Sequence, residues 1–216
     1  MPPYAISQGF MNLNILFTLA FAVTTFLVSF ISYKVYKLTG RKELKLFSFA
    51  FLSFALAYIL QVILGIVLKY KLETVVRAKF RTAVPFITAS TFSHEILFSV
   101  GLILLVYMTC KTRSKQLLGL LLGLVLIPIL FNPMSIHVFH IISSFMLMFL
   151  VLFYYRNYRA HKNLKTELVL IAFVFLLISN FTFIFAARQG LFFILGRSLE
   201  LIAYVCVLVN LRLLKK

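Results

Sequence analysis

His94 and Glu95 stand side by side near the middle of a long apolar stretch, Ala83 to Thr109. A carboxylate some ~18 Å along a membrane-crossing helix lies near the bilayer centre, where an unpartnered charge costs several kcal/mol. Such a residue needs a partner or a task, and the tasks open to it are ligand contact and proton exchange. Arg197, Glu200 and Tyr204, spaced by three and then four, share one helix face, and Arg197 can reach one turn to Glu200. Gln61, Thr91 and Asn180 are further polar side chains inside apolar stretches. Gln61, Thr91, His94, Glu95, Asn180, Arg197, Glu200 and Tyr204 are therefore the expected ligand-pocket or proton-responsive set, with no catalytic residue among them. The alternative is an ion network of Glu95, Arg197 and Glu200 that only fixes helix register.

A metal is the other chemistry to weigh, because His137 and His140 lie one turn apart and His94 is a third imidazole. An i, i+3 pair can bind zinc when a carboxylate completes the set, and Glu95 or Glu200 is the carboxylate on offer. Interfacial histidines also serve as plain headgroup neighbours, so the spacing leaves both readings open and the cofactor unknown.

The elements that must position these groups follow from composition. In 216 residues, 62% hydrophobic content, 12% charge and a mean hydropathy of +1.04 lie far outside the soluble range. Seven apolar stretches run Leu13 to Tyr33, Leu46 to Leu68, Ala83 to Thr109, Leu117 to Phe131, Ile136 to Tyr155, Leu168 to Ala187 and Leu191 to Leu214. Most exceed the ~20 residues that cross ~30 Å of hydrocarbon as helix, and none alternates like the ~10-residue strands of an outer-membrane barrel. The expected fold is all-α, a polytopic seven-helix bundle forming one domain over residues 1–216. The first fourteen residues carry no cationic region of a removable signal, so the first helix is expected to stay.

The chain has 22 Lys and Arg against five acidic residues, all Glu. In a soluble protein that balance would suggest nucleic acid, but here the cations flank helices. Fifteen fall at one end of the bundle, after the first, third, fifth and seventh spans, and six at the other (Lys69, Lys71, Arg77, Lys79, Arg81 and Arg188). The positive-inside rule makes the fifteen cytoplasmic, the N-terminus external and the C-terminus internal, in a multi-pass protein of the cell membrane. Anionic lipid headgroups are the expected partner of the collar, and nucleic acid is not. Tyr33, Tyr36, Tyr107, Tyr154, Tyr155 and Tyr158 fall at its level as an aromatic belt. The segment 69–82 puts five cations on the external side, and its apolar face suggests an interfacial helix or an extension of the third span.

Within the spans, Asn14, Thr18, Thr25 and Ser29 form a stripe expected to face protein, with Asn14 near a pocket mouth. Gly119 and Gly123 read as a small-xxx-small contact on the fourth helix. Cys110 and Cys206 both fall in the inner half and read as packing residues. Converted to depth, the polar set lies at the midplane or in the outer half. This implies an outward-facing polar pocket among the second, third, sixth and seventh helices over a tightly packed, hydrocarbon inner half.

Seven helices with this orientation resemble the rhodopsin and receptor plan, but the last helix has Arg197 and no Lys for a retinal Schiff base. The seven-helix sugar transporters are similar in length, yet no Pro-Gln motif or three-helix repeat is present. The membrane zinc hydrolases of the alkaline ceramidase and progestin-receptor-like group carry His-x-x-x-His on the last helix, and this chain does not. The hairpin from Tyr33 to Leu60, with its Tyr-x-x-Tyr-Lys-x-Thr-Gly-Arg turn, resembles archaeal-type multi-span membrane proteins and the seven-helix membrane sensor modules of prokaryotic kinases. The polar pocket, together with loops too short to hold an output domain, makes a receptor-like or sensory module that signals through a membrane or cytoplasmic partner the leading expectation. A small-solute or proton-coupled transporter is the alternative, and a membrane-embedded metal or redox enzyme subunit the third reading.

Overall fold

The computed structural model describes residues 8–74, 79–110, 114–131, 135–186 and 190–214, and side chains over 12–70, 85–110, 114–131, 136–184 and 191–213. It is all-helical among the described residues: α1 Gln8–Thr39, α2 Lys42–Thr74, α3 Lys79–Thr109, α4 Lys115–Phe131, α5 Ser135–His161, α6 Leu164–Ala186 and α7 Gly190–Leu214. Six of these are long and apolar enough to cross a membrane, the architecture of a multi-pass membrane protein. The seventh, α4, has 17 residues, which at about 1.5 Å each reach only about 26 Å, short of a ~30 Å hydrocarbon layer.

Every predicted span is a helix, but most run further than hydrophobicity alone suggests, because local signals at the polar ends set the stops. At the end of α1, Gly40 takes φ +68° and its N–H donates to the Tyr36 carbonyl at 2.8 Å, a left-handed cap that most side chains resist. Lys162 ends α5 in the same way at φ +41°, donating to Tyr158 at 2.7 Å, and the Asn163 side chain then accepts from the Lys165 N–H at 3.2 Å to start α6. The basic segment 69–82 is drawn into both helices, α2 running to Thr74 and α3 starting at Lys79. Residues 75–78, 111–113, 132–134 and 187–189 and the side chains of 71–84 lie outside the described residues.

Consecutive helices pack in order around a ring that α1 and α7 close, with α3 touching α5 directly and α4 packed against both. The ring's interior is filled by side chains, mostly aromatic: Phe21 from α1, Phe51, Phe54 and Tyr58 from α2, Phe173 from α6 and Tyr204 from α7 are essentially sealed from solvent. Conversely, Leu16, Phe30, Phe145 and Leu124 stand exposed on the outside, as expected of a bundle whose solvent is hydrocarbon.

The α1 stripe does face protein: Thr18, Thr25 and Ser29 are buried, and Ser29 and Ser48 each donate to the other's carbonyl at 2.9 Å, fastening α1 to α2. The glycines of α4 correct the sequence reading, because a Cβ on Gly119 would meet nothing within 4 Å and one on Gly123 only Ile127 of its own helix. The close approaches are elsewhere. A Cβ at Gly101 would strike the Phe54 ring and the Ala50 carbonyl oxygen at 2.9 Å, and one at Gly196 the Thr182 hydroxyl at 2.6 Å.

Candidate functional site

The centre of the bundle is organised by Glu200, a buried carboxylate in the middle of α7. Its Oε1 accepts a very short hydrogen bond from the Tyr58 hydroxyl on α2, and the Tyr204 hydroxyl lies 3.3 Å from the same oxygen. The two phenol oxygens are 2.6 Å apart. Because the Tyr58 proton points at the carboxylate, Tyr204 is the donor of that 2.6 Å bond, and the three groups form a relay from α7 to α2 and back. On the other side, Arg197 Nη1 donates to Glu200 Oε2 at 3.3 Å and Nη2 to Asn14 Oδ1 on α1 at 3.4 Å. Five residues, Asn14, Tyr58, Arg197, Glu200 and Tyr204, thus tie α1, α2 and α7 across an interior that the backbones of α2 and α7 do not bridge.

Aromatic rings complete the Arg197 environment. The guanidinium carbon lies 5.3 Å from the Phe21 ring centre, 5.4 Å from Phe183 and 5.2 Å from Phe193, within cation–π range of all three. Nε makes no hydrogen bond. A buried pair of this kind is tolerated only when its remaining lone pairs are occupied, and here two tyrosines, an amide and three ring faces supply the partners.

A second cluster sits between α5 and α6. Asn180 Nδ2 donates to the His140 carbonyl at 2.9 Å and to the Ser144 hydroxyl at 2.8 Å, which fixes the amide's orientation. Its Oδ1 must then accept from His140 Nδ1 at 2.8 Å, so that ring nitrogen carries a proton. Phe183 touches both clusters, stacking on His140 at 6.1 Å while covering Arg197.

The predicted single pocket resolves into two. Gln61 and Thr91 line a cavity of about 230 Å³ together with Asn14, Thr18 and Ser90, so its walls are α1, α2 and α3 and not α6 and α7. Gln61 lines this cavity, though its Oε1 is itself shut from solvent and has no hydrogen-bond partner. His94, Asn180 and Glu200 line a smaller cavity of about 40 Å³ with His140 and Phe183, room for about one water. Arg197 and Tyr204 line neither cavity, being held in the network between them. Glu95 is buried on α3, and the guanidinium hydrogen-bonds Glu200 and Asn14. The physical reason for the split is the ring order, which places α1 between α2 and α7.

Nor is the half of the bundle expected to be inner a sealed hydrocarbon plug. A third cavity, of about 420 Å³ and larger than the other two, lies at that end, between the starts of α2 and α6 and the ends of α3, α5 and α7. Tyr154, assigned to the lipid-facing belt, lines it and stacks on Phe173 at 5.1 Å, while Tyr33 and Tyr36 do pair at the collar with Lys37 and Lys45 over their rings. The candidate metal ligands do not assemble: among the described residues no three His, Cys, Asp or Glu side chains gather around a common point, His140 is engaged by Asn180, and His137 is exposed.

No protein-family model, no curated protein and no solved structure matches this chain.

Sequence reasoning passed over Tyr58 and Asn210. A tyrosine in an apolar span reads as an aromatic filler, and only its depth, level with Glu200, hints that its hydroxyl needs a partner there. Asn210 carries the clearer signal, a lone amide in the inner half of α7, and it is buried in the structure.

Proposed function

We propose that the chain is a seven-helix protein of the cell membrane, N-terminus outside and C-terminus cytoplasmic. It acts as a receptor-like module that binds a small polar solute in the α1–α2–α3 cavity and passes occupancy to a partner through α2 and α7. The observation that carries this reading is the double engagement of Asn14, which lines the 230 Å³ cavity and also accepts the hydrogen bond from Arg197. A ligand that donates to Asn14 Oδ1 competes with Arg197, which on its other side hydrogen-bonds Glu200 of the relay and lies over the rings of Phe21, Phe183 and Phe193. The unpartnered Gln61 Oε1 in the same wall calls for a ligand with a hydrogen-bond donor, and the apolar Ile15, Leu64 and Leu68 limit it to a small one. In this arrangement the cationic collar lies among anionic headgroups of the cytoplasmic face.

The test is a thermal-shift screen of the detergent-solubilised protein against amides, amino acids and polyols. A true ligand raises the Tm of the wild type, loses its effect in Gln61→Leu, and alters the tyrosine absorption of the wild type but not of Tyr58→Phe. A screen whose hits are all indifferent to Gln61→Leu contradicts the reading. Proton-coupled transport is the second reading, favoured by Glu200 lining the small cavity with His94 and His140. It requires solute uptake into proteoliposomes driven by a pH gradient and abolished by Glu200→Gln.

A further inference from the structure

The cavity at the end of the bundle proposed to be inner belongs to neither cluster and, at about 420 Å³, is the largest of the three described above. Its walls divide by chemistry. Phe47, Met108, Val169 and Leu211 make an apolar floor, and the rim carries Glu43 from α2 opposite His161 and Lys165 from α5 and α6. Asn210 also lines it, 7% exposed, with an Oδ1 shut from solvent that accepts no hydrogen bond. A buried acceptor without a donor is costly, and native proteins keep one where something else supplies the donor. Asn157 and Thr166 add neutral donors and acceptors at the rim.

These features select a ligand. A bare anion would satisfy Lys165 and His161 but meet the Glu43 carboxylate and leave Asn210 Oδ1 unpaired. A bare cation has the reverse difficulty. We infer that the cavity binds a phosphate ester bearing a hydrogen-bond donor next to an apolar chain, the chemistry of a hydroxyl- or amine-bearing glycerophospholipid. The phosphate lies against Lys165 and His161, the hydroxyl or ammonium donates to Glu43 and, once the Asn210 amide turns toward the cavity, to its Oδ1, and the chain runs over Phe47 and Met108. The cavity's position at the collar of Lys34, Lys37, Arg41, Lys42 and Lys45 places it where headgroups are. This inference is independent of the proposed solute site, which lies at the opposite end.

The experiment is native mass spectrometry of the full-length protein released from detergent containing equal amounts of dioleoyl phosphatidylglycerol, phosphatidylethanolamine and phosphatidylcholine. Phosphatidylcholine has the same phosphate and chains but no headgroup donor. The expected result is retention of the glycerol and ethanolamine lipids over the choline lipid by roughly tenfold, the size of one buried acceptor left unpaired. Asn210→Leu abolishes that preference, and Lys165→Gln, at a half-buried rim position that leaves the core untouched, weakens retention of all three. Water-soluble glycerophosphoglycerol added to the wild type distinguishes the source: if it displaces the lipid at millimolar concentration, the same site takes a soluble ester, and if it does not, the apolar chain is required. Equal retention of the choline lipid by the wild type, or retention unchanged in both variants, overturns the inference.

Discussion

At the scale of single residues, Arg197 is the side chain on which the interior depends. It is 7% exposed, hydrogen-bonded to a carboxylate and an amide, and covered by three phenyl rings. Arg197→Leu removes the counter-ion and leaves Glu200 buried with only its tyrosines, so unfolding of the purified protein should be easier by ~3 to 5 kcal/mol. Replacing the carboxylate as well, in Arg197→Leu with Glu200→Gln, should recover part of that loss. A double variant no more stable than the single one would mean that the pair is not the source of the stability. The identities of these residues were legible in the sequence because a charge inside an apolar stretch is conspicuous. Their partners were not. The reach of Arg197 to Glu200 follows from their spacing, but the links to Asn14 and Tyr58 depend on which helices are neighbours, and Tyr58 announces itself only once Glu200 stands opposite.

At the scale of elements, the helices were the most legible feature, since continuous hydrophobicity and length determine them almost alone. Their ends were less so, because α1 and α5 continue through polar residues until Gly40 and Lys162 turn left-handed. Close helix approach was misjudged for a simple reason: glycine spacing marks where a contact is possible, and the neighbour decides whether it occurs. Gly101 meets the Phe54 ring and the Ala50 carbonyl, whereas Gly119 meets nothing. Gly101→Ala should therefore push α3 off α2 and destabilise by about 1 to 3 kcal/mol, as overpacking does. Gly119→Ala should fall within about 0.5 kcal/mol of the wild type, as substitutions away from contacts do. Melting midpoints of the two variants in one detergent check the contrast, and equal loss in both would show that α2 and α3 are not held at Gly101.

At the scale of the whole molecule, the ring order explains why one predicted pocket became two cavities and a network. α1 closes the ring against both α2 and α7, so Asn14 stands between the Gln61 cavity and Arg197. The proposed orientation follows from the cation collar, and reporter fusions at Lys162 and Lys216 should report cytoplasm while one at Asn132 reports the exterior. An exported Lys162 fusion would invert the assignment of both cavities. The central claim is that the Asn14 wall of the solute cavity is energetically linked, through Arg197 and Glu200, to Tyr58 on α2. The most direct test is a double-mutant cycle of Asn14→Ala and Tyr58→Phe, read from reversible unfolding in mixed micelles. The two side chains do not hydrogen-bond each other, so residues acting separately would add to within ~0.3 to 0.5 kcal/mol. A network predicts a coupling above about 0.5 kcal/mol that disappears in an Arg197→Leu background. Simple additivity in the wild-type background would contradict the link between cavity and relay.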